Sequence, residues 1–210
     1  GPCSFIYQGN VEKGVRVPQN VAHIHTSRFM PDGHILATDF SADQLLLYKR
    51  DRDKVIPQGV AGRLLAGSAP RHIEHSAGWR YVYVMSELAG TVTVFSNKAG
   101  KLTRIQTIAS DSVGGRGGAD IHMSPDGRYI YASNRLKADG ISIFKVNTMN
   151  GKLKKAGYQL TGIHPRNFAI TPNGKYLLCA CRDSNTIQIY ERNQDTGMLT
   201  LQSTTIDLKK

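Results

Sequence analysis

Four side chains in this sequence, His25, Arg71, Glu87 and Arg166, combine the chemistries that anion binding and proton transfer require. A guanidinium grips a phosphate or carboxylate through two parallel N–H donors, and a carboxylate or an imidazole can move a proton near neutral pH. His72, Asp120, His122 and Arg135 carry the same kinds of group and join the set as candidate ligand-binding residues. Plainer readings stand beside this one. A salt bridge across one hairpin would explain Arg71 and Glu87, and hydrogen-bonded channel or core histidines would explain His72 and His122. His23 and His25 alternate along the chain and could share a metal ion. No partner set of carboxylates or cysteines completes a coordination sphere, however, so no metal and no other cofactor is expected.

What would bring residues so far apart together is a repeat. "MPDGHILAT" at 30–38, "SAGWRYVYVMS" at 76–86, "SPDGRYIYAS" at 124–133 and "TPNGKYLLCA" at 171–180 each read as a turn followed by an alternating apolar strand. With Ile35, Tyr81, Tyr129 and Tyr176 taken as equivalent, the spacings are 46, 48 and 47 residues. A fixed period in this range marks a repeat architecture. Each unit also holds a short apolar strand before the turn and a third strand after a polar loop, such as "TVTVFSN" or "GISIFKV". A Gly-Lys-Leu or Gly-Met-Leu turn then opens a fourth strand in "GKLTRIQTI", "GKLKKAGYQL" and "GMLTLQSTTI".

Four antiparallel strands per unit without helical periodicity predict an all-β fold, a β-propeller of four-stranded blades. The repeats run approximately over 20–66, 67–113, 114–161 and 162–208 of a single domain spanning 1–210. At this period the chain holds about four and a half blades. "CSFIYQGNV" in front and "LQSTTIDLKK" behind read as parts of further blades. An arc of a larger ring is therefore expected, with open sheet edges through which copies could associate. Within a blade, the first strand begins where the second ends. Counting from the turns puts His25, Arg71, Ala119 and Arg166 at the starts of first strands, and Ser41, Glu87, Arg135 and Arg182 at the ends of second strands. Both series then open on one face of the propeller.

Composition narrows the partner. Lys and Arg outnumber Asp and Glu by 27 to 16, a net charge of +11, so the expected ligand is a small phosphorylated or carboxylated molecule. The excess is spread along the chain and no aromatic-and-basic nucleic-acid-binding string occurs, so nucleic acid is not expected. "GGRGG" at 114–118 has the composition of a phosphate-cradling loop, but no helix follows it; it reads as a tight loop that brings Arg116 near the same face. No apolar run approaches a membrane span and no leader opens the chain, which predicts a cytoplasmic protein unless a signal peptide has been removed. The cysteines at 3, 179 and 181 read as reduced thiols, since alternate residues of one strand are poorly placed to bridge.

"HIHTSRFMPDG", "APRHIEHSAGWRYVYVMSELAGTVTVF", "GADIHMSPDGRYIYASNR" and "IHPRNFAITPNGKYLLCACRDSNTIQIYER" together resemble the lactonase family of seven-bladed β-propellers. That family includes propeller-type 6-phosphogluconolactonases and the fungal carboxy-muconate lactonizing enzyme. The resemblance runs from about residue 14 to the end and implies a site at the channel mouth built from a His, two Arg and a Glu. Carried over by motif, these are His25 in "HIHTS", Arg71 in "APRH", Glu87 in "SEL" and Arg166 in "HPRN". It further implies hydrolysis of an anionic sugar lactone, 6-phosphogluconolactone first, without an acyl-enzyme, because no G-x-S-x-G elbow is present. A muconate-type cycloisomerase and a propeller that only binds an acidic ligand or a protein are the alternatives.

Overall fold

The computed structural model describes residues 19–21 and 23–208. They build four antiparallel sheets of four strands, each sheet ordered as in the sequence. The first holds β1 (Ile24–Phe29), β2 (His34–Asp39), β3 (Gln44–Asp51) and β4 (Lys54–Arg63), and the second β5 (Pro70–His75), β6 (Tyr81–Ser86), β7 (Thr91–Lys98) and β8 (Lys101–Ala109). The third holds β9 (Gly118–Met123), β10 (Tyr129–Asn134), β11 (Gly140–Val146) and β12 (Leu153–Leu160), and the fourth β13 (Pro165–Ile170), β14 (Tyr176–Cys181), β15 (Thr186–Arg192) and β16 (Leu199–Asp207). These are propeller blades. Residues 201–207 complete the fourth sheet as the end of β16 rather than opening a further blade, and residues 3–11 lie outside the described residues.

Apolar layers between successive sheets form the core. Leu36, Leu45, Ile73, Val84 and Phe95 fill the first layer, Tyr83, Met85, Ile121, Ile130 and Phe144 the second, and Tyr131, Ile143, Phe168, Cys179 and Tyr190 the third. The alternation along β6, β10 and β14 thus serves inter-blade packing, which removes apolar area from water on both faces of each inner sheet. Tyrosines also tie the second blade to the third and the third to the fourth. Tyr81 and Tyr83 donate to the carbonyls of Met149 and Gly151, and Tyr129 and Tyr131 donate to those of Asp195 and Gly197. The Gly-Lys-Leu and Gly-Met-Leu turns are therefore docking points for the preceding blade. Cys179 and Cys181 are buried free thiols with their sulfurs 3.9 Å apart, while Cys3 lies outside the described residues. Among the described residues no helix is long and apolar enough to cross a membrane.

Two irregularities, one confined to the first blade and one shared by all four, set where the site residues fall. The β1–β2 hairpin is one residue shorter than the others: Met30 N–H bonds the carbonyl of His34, whereas Ser76, Ser124 and Thr171 bond those of Tyr81, Tyr129 and Tyr176. His34, not Ile35, is thus the partner of the three tyrosines. Phe40, not Ser41, takes the place that Glu87, Arg135 and Arg182 hold in later blades. The second irregularity is a register shift at the start of every innermost strand, between Ile24 and Ser27, Pro70 and His72, Gly118 and Ile121, and Pro165 and Asn167. An extra residue there bends the strand and re-aims its side chains. Arg71 and Arg166 are the inserted residues of their strands. In the first and third blades a hydroxyl caps the displaced backbone, Thr38 Oγ1 accepting from Thr26 N–H and Ser133 Oγ from Asp120 N–H, each at 3.0 Å.

At Gly118 the third blade presses on the second so closely that a Cβ would sit 2.6 Å from Met85 Cε and nearer still to the Ser86 carbonyl oxygen. Backbone cannot yield there as a flexible side chain could. Gly118→Ala is expected to cost about 3 kcal/mol in denaturant melts, the upper range for overpacking. Gly127→Ala, at φ +71° in an open turn with nothing within 4 Å, is expected to cost about 1 kcal/mol. Equal losses would show that the contact between these blades is soft.

Candidate active site

The strand-start bulges place His25, Arg71 and Arg166 on one end of the inner strands, beside the loops that follow β2, β6, β10 and β14. Arg71 is almost wholly buried, with its side chain 4% exposed. Its Nε lies 3.0 Å from Glu87 Oε2, and its Nη1 donates to the Ala119 carbonyl at 2.8 Å and lies 3.2 Å from His72 Nε2. Among the described residues its Nη2 has no partner. Arg135 Nη2 approaches the same Glu87 oxygen at 3.1 Å, so one carboxylate spaces two guanidiniums. Arg135 is otherwise held by backbone and a histidine: Nε donates to Gly117 O, Nη2 to Gly118 O, and Nη1 lies 3.4 Å from His164 Nε2. Burial and the neighbouring Arg135 lower Arg71 to about 10, against the pull of Glu87, and it stays cationic at neutral pH.

Asp120 is the second centre. One carboxylate oxygen lies 2.7 Å from His72 Nδ1 and accepts from Ile121 N–H at 2.9 Å. The other lies 3.1 Å from His122 Nε2 and accepts from Asn167 Nδ2 at 2.5 Å and from Phe168 N–H at 3.1 Å. Burial works against the charge, but the hydrogen bonds from His122 and His72 outweigh it and hold Asp120 well below the usual carboxylate range. His122 reaches Glu74 Oε2 on its other side at 3.7 Å and stands edge-on to Phe168. His25 packs edge-to-face with His72, the ring centroids 5.1 Å apart, and its buried Nδ1 has no partner among the described residues. Burial, then Arg71, His72, His23 and Arg166, push His25 down to about 3, so it is neutral.

These groups border a cleft of about 430 Å³ lined by Arg71, His72, Arg166, Asn167, Ala180 and Arg182. Arg182 is fastened to Asp183 at 2.6 and 3.1 Å, whereas the exposed Arg166 has no ion pair or hydrogen bond among the described residues. Of the candidates named from sequence, Arg71, His72 and Arg166 reach the lining. Glu87, Asp120, His25, His122 and Arg135 stand behind it and hold it. Asn167 was not singled out by motif, although it follows Arg166 in "HPRN" and occupies the register position of His72 in the second blade. Glu74, which accepts from Met123 N–H of the next blade at 3.1 Å, carried no sequence signal. No group of three or more His, Cys, Asp or Glu side chains suited to a metal ion occurs among the described residues.

The histidines behind the cleft respond to pH in opposite senses. Burial opposes the charge on His122, but bonding to Asp120 and Glu74 outweighs it and pushes the ring up to about 9, above the 6.5 of a free histidine. Its stabilisation is full below about pH 6.5 and is lost as the pH rises through 9, whereas that of neutral His25 is lost as the pH falls from 6.5 towards 3. The stability advantage over His122→Gln is therefore expected to shrink by about 3 kcal/mol between about pH 6 and pH 9.5 in urea melts. A pH-independent difference would show that His122 is uncharged in the fold.

Known proteins share this architecture. A Formosa agariphila protein named 6-phosphogluconolactonase is 37% identical over 194 residues, covering 88% of this chain and 55% of its own length. The crystal structure of a candidate 6-phosphogluconolactonase from Bacteroides uniformis superposes with a TM-score of 0.92 at 51% identity, over 99% of this chain and 62% of that one. A periplasmic gluconolactonase of Pseudomonas aeruginosa superposes with a TM-score of 0.86 at 27% identity, over 93% of this chain and 57% of that one. The chain thus spans a little over half the length of these relatives. The family model for the lactonase seven-bladed β-propellers matches residues 4–210, and by blade architecture, motif and sequence the chain belongs to that family.

Proposed function

We propose that this chain forms part of a lactone hydrolase acting on an anionic sugar lactone, with 6-phosphogluconolactone as the substrate, as the names of the similar proteins suggest. The observation that carries the reading is the cleft itself: three arginines line it and no carboxylate does, and Arg166 has no counter-ion among the described residues. Such a cleft attracts an anion and leaves a guanidinium free to hold it. Arg166 anchors the phosphate or carboxylate of the substrate. Arg71 turns its unengaged Nη2 to the lactone carbonyl and stabilises the oxyanion formed when water adds. Glu87, wedged between Arg71 and Arg135, aims the oxyanion donor and keeps the two cations apart.

The assay uses the full-length protein on freshly generated 6-phosphogluconolactone, read against spontaneous hydrolysis. Arg166→Ala is expected to raise KM about 10- to 100-fold, the worth of a hydrogen bond to a charged group, and to leave the unphosphorylated lactone nearly unaffected. Glu87→Gln frees Arg71 and is expected to lower kcat instead. A folded wild-type protein that gives no rate above the spontaneous one would overturn the hydrolase reading.

A further inference from the structure

The cleft supplies an anion anchor and an oxyanion donor, but water attack also needs a group that takes a proton. Among the residues lining the cleft, His72 alone has a side chain of the kind that changes charge near neutral pH. The other candidates are committed elsewhere. Glu87 is clamped by two guanidiniums at 3.0 and 3.1 Å and does not reach the lining of the cleft. His122 already carries its proton between Asp120 and Glu74, and His25 stands behind the His72 ring in a cationic surrounding that opposes protonation.

We propose, building on the lactone-hydrolysing reading above, that His72 is the catalytic base and acid of this cleft and that Asp120 is its positioning residue. Two neighbours with fixed roles set the tautomer. An ionised carboxylate can only accept, so the contact of 2.7 Å to Asp120 places the proton on Nδ1. A guanidinium can only donate, so the contact of 3.2 Å from Arg71 Nη1 meets a lone pair on Nε2. That contact is the longer one made by Nη1, which also donates to Ala119 O at 2.8 Å, so a water bound in the cleft competes for the Nε2 lone pair.

The step balances as follows. Nε2 takes a proton from water while the water oxygen adds to the lactone carbonyl carbon, and the carbonyl electron pair moves to the oxygen held by Arg71. Collapse of that tetrahedral species breaks the bond between the carbonyl carbon and the ring oxygen. The bonding pair leaves on the ring oxygen, which receives the proton from Nε2–H, and the net change is lactone plus water to hydroxy acid. Asp120 offsets the charge that His72 carries between the two transfers. The charged and titratable groups around His72 are Arg71 from its own strand, Asp120 from β9, His25 from β1, Arg166 from β13 and, across the cleft, Arg182 from the loop after β14.

The test is the pH dependence of kcat/KM for the full-length wild type, His72→Gln and Asp120→Asn, with folding checked by circular dichroism. His72→Gln is expected to lose about 10²- to 10⁴-fold in kcat with little change in KM. Asp120→Asn is expected to keep the base but misplace it, lowering kcat by a smaller factor than His72→Gln with little change in KM. His72→Ala should recover rate on adding imidazole, a readout that does not depend on Asp120→Asn folding. An active wild type with His72→Gln within a few-fold of it, or with no imidazole rescue of folded His72→Ala, would overturn the dyad and leave the hydrolase reading standing. An inactive wild type would overturn both.

Discussion

The Asp120 carboxylate is the interaction on which the site rests. It is buried on the innermost strand of the third blade, yet its oxygens meet His72 from the second blade and Asn167 with the Phe168 amide from the fourth. A buried charge is tolerable where its lone pairs are filled by donors, and here side chains and backbone amides fill them. The same bonds fix the angle at which three innermost strands meet. Apolar burial is non-directional, whereas a carboxylate shared by directed donors sets an orientation. The cleft therefore inherits its shape from a polar contact rather than from the packing that supplies most of the stability.

Around that anchor the charges are arranged in depth. Glu87 lies behind Arg71 and Arg135, Glu74 and Asp120 hold His122 between them, and Asp183 sits outside on Arg182. Each acid sits behind or beside the lining rather than in it. Like-charged guanidiniums can then converge without either a collapse of the site or a counter-ion that would compete with an anionic ligand. Arg166 is the exception that matters, because it borrows its place in the cleft from the strand bulge alone. Its exposure makes its attraction for an anion sensitive to salt, whereas the buried Arg71 is screened far less.

The blades were legible because turn residues and strand alternation are local: a Gly at positive φ after Pro-Asp or Pro-Asn, and an apolar residue at every second position, need no knowledge of the neighbours. The face bearing His25, Arg71, Glu87 and Arg166 could be reached by counting, since those positions follow from strand length and hairpin register. Counting erred where geometry departs from the repeat. The short hairpin of the first blade puts Phe40 where Ser41 was expected, and a turn one residue shorter has no signal apart from the register it creates. The bulges were invisible for the same reason. Asn167 and Glu74 escaped notice because their importance lies in partners on the next blade, and a single repeat unit does not state what its neighbour brings.

These considerations bear on how such a fold makes new chemistry. The inserted residue of each bulge is excluded from regular pairing, so the ladder does not dictate its type. In this chain the position holds an arginine in the second blade and another in the fourth, while the next position holds His72, Asp120 and Asn167 in turn. One ring of positions thus supplies cations for binding, and the adjacent ring supplies the hydrogen-bonded network that orients a base. The extra residue of the bulge lets two successive residues, Arg71 with His72 and Arg166 with Asn167, line the same cleft. Binding and proton transfer are therefore coupled at Arg71, whose Nη1 lies 3.2 Å from His72 Nε2, and separable at Arg166, which has no ion pair or hydrogen bond among the described residues.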